Sequence, residues 1–170
     1  MILQIKEQYS TGKQQYFIVY DFPKERAIDF VVGNKNYFIA DKILNNDKSK
    51  MRFHIQHFRW ERRVKESNLV LKVFETNNYF RKDNYIQFFN KKILLWDKDF
   101  VKPTTHLDFD YIVVSDKVKL DLKNIYCKQV IIDSSLPKYK WEQIKKECHK
   151  YDIPFYNVNT QGAYLFKLTV

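Results

Sequence analysis

Short apolar stretches alternate with polar punctuation along the chain, and the spacing of the apolar positions changes from one half to the other. Residues 14–22 carry apolar and aromatic side chains at strand spacing. Residues 27–32 and 37–40 flank Gly33-Asn34-Lys35-Asn36, so two β-rich runs around a glycine-asparagine turn predict a hairpin. Residues 42–66 are polar and basic, and within them Met51, Ile55 and Phe58 recur at helical spacing. Residues 69–74 and 85–90 read as strands, after which Asn90-Lys91-Lys92 turns the chain into another strand at 93–96.

The C-terminal third has a different pattern. Residues 111–115 and 129–133 are continuous β-branched runs, as expected of strands buried on both faces, with helical segments expected between and after them. Across 138–151, Trp141, Ile144, Cys148 and Tyr151 fall on one stripe among lysines and glutamates, which predicts an amphipathic helix. Pro154 limits that helix, because the residue before a proline avoids the helical region. Residues 155–158 and 163–168 supply two closing strands around Gly162. The order points to a mixed α+β protein whose first half is antiparallel and whose second half is a layered α/β unit.

Length and composition narrow the function. The 170 residues, 45% of them hydrophobic, suit one domain over 1–170, with no internal repeat or low-complexity hinge. No apolar run approaches the roughly 20 residues that a membrane-spanning helix needs. The first residues, Met1-Ile2-Leu3-Gln4-Ile5, enter the alternation directly, as at a boundary inside a longer protein. Cys127 and Cys148 make neither a disulfide framework nor a zinc knuckle and read as small core residues. Only three glycines occur, against about twelve at an average usage of about 7%. That shortage excludes a phosphate loop and a dinucleotide fingerprint, so no nucleotide cofactor is expected.

The net charge of +10 fits an anionic partner, or the lysine-rich coding of an AT-rich genome with no selection for binding. Arginine separates the two readings. Four of six arginines (Arg52, Arg59, Arg62, Arg63) fall within twelve residues, in a stretch from Lys48 to Lys65 that also holds Lys50. Guanidinium forks suit phosphate, and Phe53, Phe58 and Trp60 suit stacking on unpaired bases. The competing view is that these aromatics anchor the core with solvated charges between them. Elsewhere, His54, His57 and Glu61 would share a helix face and offer a metal pair plus carboxylate. Asp133-Ser134-Ser135 follows a buried strand, where ligands of α/β proteins bind, although Asp133 also suits a capping role. No histidine has a claim as base to a serine nucleophile: His106 is in a loop and His149 in a helix. Asp108 and Asp110 are spaced as an acid/base pair or as solvated turn residues.

Asp110-Tyr-Ile-Val-Val-Ser115, Gln129-Val-Ile-Ile-Asp-Ser134, Trp141-Glu-Gln-Ile-Lys-Lys-Glu-Cys148, Ile153-Pro-Phe-Tyr156 and Gly162-Ala-Tyr164 together resemble the C-terminal domain of ComEC-type competence proteins. Upstream, Ala27-Ile-Asp-Phe30, Asn36-Tyr-Phe38 with Asp41, and Phe53-His-Ile55 with Arg59 look like the same family. The resemblance implies a metallo-β-lactamase-like layered fold and a parent multi-pass membrane protein of DNA uptake. It also implies partners: DNA, and the transmembrane channel of that parent, with the domain expected on the outer, periplasmic face. Catalytic members of the fold carry a histidine-rich metal motif after an early strand, whereas Asp41-Lys42-Ile43-Leu44 offers one carboxylate here. Asp116-Lys117 stands where members with metal have histidines. A metal-free accessory domain is therefore expected. The alternatives are a residual hydrolase using Asp41, Asp116 and Asp133, with Ser134 beside them, and a purely structural interaction domain.

Overall fold

The computed structural model describes residues 12–41, 48–70, 72–116 and 118–168. They form two sheets with few helices, a layered α+β sandwich of the kind the resemblance implies. Strands β1 (Gln15–Val19), β2 (Ala27–Val32), β3 (Lys35–Ala40), β4 (Glu66–Leu69) and β12 (Tyr164–Lys167) make the first sheet, in the order β12-β1-β2-β3-β4. The second runs β11-β10-β9-β8-β7-β6-β5. It comprises β5 (Val73–Glu75), β6 (Tyr79–Lys82), β7 (Tyr85–Phe88), β8 (Lys91–Trp96), β9 (Leu107–Val114), β10 (Ile125–Ile132) and β11 (Phe155–Asn157).

The expected hairpin is β2 and β3, joined at Gly33 and Asn34 with Val32 opposite Lys35. Gly33 has φ +59°, and a Cβ there would lie 3.2 Å from the Gly12 carbonyl oxygen, so a side chain would be both strained and crowded. One face of the first sheet, with Phe17, Phe30 and Tyr37, packs against Tyr79, Phe88 and Tyr111 of the second. The rings interlock across the layers: Phe30 lies 5.1 Å from Tyr79 and 5.2 Å from Phe88, and Tyr37 stacks on Tyr79 at 4.8 Å. The other face of the first sheet, with Tyr16, Ile18, Tyr20, Val31 and Phe38, is also buried. Its cover is a continuous helical segment of α1 (Lys48–Met51), a π-helical stretch (Arg52–Gln56) and α2 (His57–Glu61). Burial on both faces explains why these strands read as apolar runs.

The second sheet changes character at β8. Strands β5 to β8 are an antiparallel meander, and β8, β9, β10 and β11 pair in parallel. Helix α3 (Lys138–Lys150) makes the crossover from β10 to β11 and buries Ile144 and Cys148, with Trp141 and Tyr151 at the margin of the same cluster. The Trp141 indole N–H donates to the Leu136 carbonyl at 2.9 Å, which holds the ring at that margin. Both cysteines are buried and free.

Three expectations are corrected. No helix occurs between β9 and β10 among the described residues; that crossover is an extended loop whose alternating Leu120 and Leu122 are buried against α3, with the Leu122 N–H donating to Glu147. The strand expected over 69–74 is two strands in different sheets. Val70 is buried at the passage between them, where its N–H donates to Phe38 and its carbonyl accepts from Arg81. Between the two closing strands, Val158 starts a short helix, α4 (Val158–Gln161), instead of ending β11; the Asn157 side chain caps it by accepting from the Asn159 N–H. Strand β6 was not foreseen, because Tyr79-Phe80-Arg81-Lys82 has two charged members and lies beside two asparagines.

Because Ile144 is 1% exposed and central to the α3 interface, Ile144→Ala should cost about 3 kcal/mol of unfolding free energy in a urea titration. An unchanged midpoint would mean that α3 is not seated on β9 and β10.

Candidate functional site

The basic stretch divides into an inner and an outer side. Ile55 is fully buried, with Met51, Phe58 and Val64 packed beside it, so the expected apolar stripe faces the sheet. Arg59 goes inward with them. Its guanidinium lies 4.5 Å above the Phe38 ring, its Nε donates to Asp29 Oδ2 at 3.0 Å and its Nη2 to Asp29 Oδ1 at 3.1 Å. Asp29 is fully buried in β2 and also accepts from Tyr20 Oη at 2.9 Å and from the Asn36 side-chain amide. Burial, and then the neighbouring Asp29, push the Tyr20 hydroxyl well above its ordinary pKa. Arg59 is thus a buried ion-pair partner, not a phosphate ligand presented to solvent.

Arg62 is half-buried, its guanidinium 5.2 Å from the Tyr16 ring and 5.4 Å from that of Phe58, while its carbonyl accepts from Gln14. The outer side carries Arg52, Arg63, Lys65 and Trp60, the last 60% exposed. The helix ends at Glu61, and just beyond it Arg63, with φ +52°, reverses the chain so that the Lys65 N–H donates to the Asn34 carbonyl. The side chains of Lys48, Lys50 and Phe53 lie outside the described residues.

A second cluster lies at the carboxyl ends of β3, β8, β9 and β10. Asp41 and Asp116 line an open cleft of about 360 Å³ with Lys24, Lys98, Val118 and Ser135. Arg26 stands behind it, with Nη1 2.7 Å from Asp97 Oδ2, Nη2 3.4 Å from Asp41 Oδ1, and its backbone N–H on Asp41 Oδ2. Asn84 donates to the other Asp97 oxygen. Burial opposes the charges of both partners, yet Arg26 is raised and Asp97 lowered, because each gains more from the other than it loses from water.

Asp133 is fully buried. It accepts from the Ser115 hydroxyl and from the Ser135 hydroxyl and N–H, while the Ser135 hydroxyl also receives the Asp116 N–H. Burial raises Asp133 to about 6. Ser134 accepts from the Phe22 N–H and donates to Asp21, tying β10 to the loop after β1. The three carboxylates therefore have different occupations: Asp41 is held by Arg26, Asp133 by two serines, and Asp116 stands at the cleft wall with φ +60°. Lys117 lies outside the described residues.

The donor set does not fit the metal that the lactamase-like fold implies. The Arg26 guanidinium bridges Asp41 and the buried Asp97, two lysines flank the cleft, and none of its lining residues is an imidazole. Among the described residues, no three His, Cys, Asp or Glu side chains converge as a metal cluster. The histidine pair on the helix separates as well: His54 packs edge-on at 4.9 Å from Phe22, and the exposed His57 faces Glu61 at 3.5 Å. On β9, Asp110 accepts from Lys128 and the Lys92 N–H, while Asp108 faces His106. His149 packs near Phe155.

Sequence reasoning passed over Arg26, Asp97 and Asn84, which are separated by up to 71 residues. It noted Asp29 only as part of the resemblance, and Asn36 as part of the resemblance and of the turn, whereas Asn36 lies within β3. The available signal was Asp29 itself, one charged residue in the middle of the apolar strand Ala27–Val32.

Two outcomes follow from these geometries. Arg59→Ala strands the Asp29 carboxylate without its cation and should cost about 3–5 kcal/mol in chemical denaturation; Arg59→Lys, which loses the paired donation, should recover only part of it. Asp133 has a folded pKa of about 6, above its unfolded value near 3.9, so its ionisation costs stability as pH rises through that window. Asp133→Asn should remove that cost, on the order of 3 kcal/mol, above pH 6 and leave the variant and parent closest below pH 4. A stability gap between them that does not change with pH would refute the assignment.

The profile of the ComEC C-terminal domain matches residues 17–168, from within β1 to the end of the described chain. No curated protein and no solved structure matches the chain. The match includes both sheets, the helical cover and the strand-end cleft. This chain belongs to the ComEC C-terminal domain family.

Proposed function

We propose that the chain is an accessory domain of a competence membrane protein, which contacts incoming DNA through the outer side of α2 and does not cleave it. The observation that carries this reading is the division of the arginine cluster. Asp29 fixes Arg59 in the core, and the same helix presents Arg52, Trp60 and Arg63, with Lys65 just beyond, to solvent. Guanidinium and ammonium groups around an exposed indole suit a phosphate backbone with accessible bases. The strand-end cleft supports the non-hydrolytic part, because Arg26 engages Asp41 and serine hydroxyls engage the deeper Asp133. No helix of the described residues is long and apolar enough to cross a membrane. The reading accordingly assigns the membrane span to the parent's channel, with this domain docked on it at the outer, periplasmic face.

Binding of labelled DNA, followed by fluorescence anisotropy, tests the proposal. The parent chain should bind weakly at low salt and lose affinity steeply as salt rises. Replacing Arg52, Arg63 and Lys65 by alanine should weaken binding roughly tenfold and flatten the salt slope by about two to three. Replacing Lys138, Lys145 and Lys146 removes the same formal charge and should have a much smaller effect. Equal losses from the two triple variants, or no binding by the parent, would sink the DNA-contact reading and favour docking alone.

A further inference from the structure

The second sheet is covered on one face only in part. Helix α3 and the loops at its side close over β8, β9 and β10, burying Leu94, Ile112 and Val130. Beyond them the same face of β5, β6 and β7 is open. The register places Glu75, Phe80, Gln87 and Lys92 in one row across that face, and Val73, Lys82 and Tyr85 in the next. All of these are exposed; Phe80 and Tyr85 are each 38% exposed. Tyr85 is braced at its inner edge by Phe100 and Phe109, with ring centroids 6.2 and 6.1 Å away, so its ring is held in place on the open surface. Beside Phe80 is an open pocket of about 400 Å³ whose walls include Thr76, Asn77, Asn78 and Gln87.

We infer that this open face is a stacking platform for the bases of a single-stranded nucleic acid, a contact that rests on the DNA-binding reading and extends it to a second surface. A phenyl and a phenol ring on adjacent antiparallel strands offer π-faces to successive bases, as sequence-tolerant single-strand binding requires. Lys82 and Lys92 flank the rings and suit the phosphates, with Glu75 the opposing carboxylate in their rows. Asp110 adds no free negative charge there, since Lys128 and the Lys92 N–H occupy its oxygens. The side-chain amides of Asn77 and Asn78 in the pocket wall can donate to and accept from a base edge, which a membrane or an apolar protein partner would not use. The platform belongs to the opposite layer from α2, so variants read the two contacts separately.

Anisotropy with a short labelled oligothymidylate and an abasic oligonucleotide of equal length tests the platform. The parent chain should bind oligothymidylate roughly tenfold more tightly than the abasic strand. Phe80→Ala should abolish that preference and leave abasic binding unchanged, and Lys82→Ala with Lys92→Ala should weaken both. Equal affinity of the parent for the two strands, or a preference that survives Phe80→Ala, overturns the platform and leaves the arginine face standing. A preference lost in Phe80→Ala but insensitive to Arg52, Arg63 and Lys65 supports the platform and overturns the arginine face. Failure to bind either strand overturns both.

Discussion

Asp29 has no exposed surface, and the molecule must supply every partner its oxygens would have found in water. The donors come from three places: Tyr20 from the end of the first strand, Asn36 from the neighbouring strand, and Arg59 from the helical segment above. A buried ion pair is poor evidence of net stability, because desolvation offsets much of the attraction. Its value here is positional. Hydrophobic burial alone would let the helix slide or rotate over Tyr16, Ile18 and Phe38, whereas a two-point bond to one carboxylate admits one placement. Everything the outer side of that helix presents to solvent inherits this constraint.

The strand-end cleft solves a related problem differently. Carboxylates gather at the ends of β3, β8, β9 and β10 because four strands of two sheets terminate together there. Arg26 supplies the compensating cation from within the chain, and two serines supply hydroxyls to the deepest carboxylate. The cluster is tied together by hydrogen bonds and the Arg26 ion pairs, so its residues hold the loop after β1, the end of β8 and the end of β10 in one arrangement.

The β-branched strands β9 and β10, the hairpin and helix α3 were legible because each is carried by local spacing: β-branched runs, a glycine at a turn, an apolar stripe around Ile144 and Cys148. The crossover after β9 misled because a helix between parallel strands is the usual connection, whereas here Leu120 and Leu122 bury an extended loop in its place. The passage between sheets at Val70 left no mark, since its neighbours are apolar on both sides of the break. The candidate site was half legible. Clustering of arginines is visible in the sequence, but which arginine turns inward depends on a carboxylate 30 residues away. Arg26 was invisible for the same reason: one arginine in the polar turn before an apolar strand acquires meaning only when Asp41 and Asp97 fold around it.

The first strand of the described fold is paired on one side by β2 and on the other by β12, the last strand in chain order. Tyr16 lies opposite Lys167, so this seam closes between residues 151 positions apart. On a ribosome, β1, β2 and β3 are made well before β12, so one edge of β1 waits until synthesis has passed residue 167. During that interval the backbone of Tyr16-Phe17-Ile18-Val19, apolar on both faces, is an unpaired edge open to other chains. Closing so long a loop is also slow, which prolongs the exposure. The seam thus makes β12 a precondition of the fold, and a chain halted before β12 would present an adhesive edge in place of a finished domain.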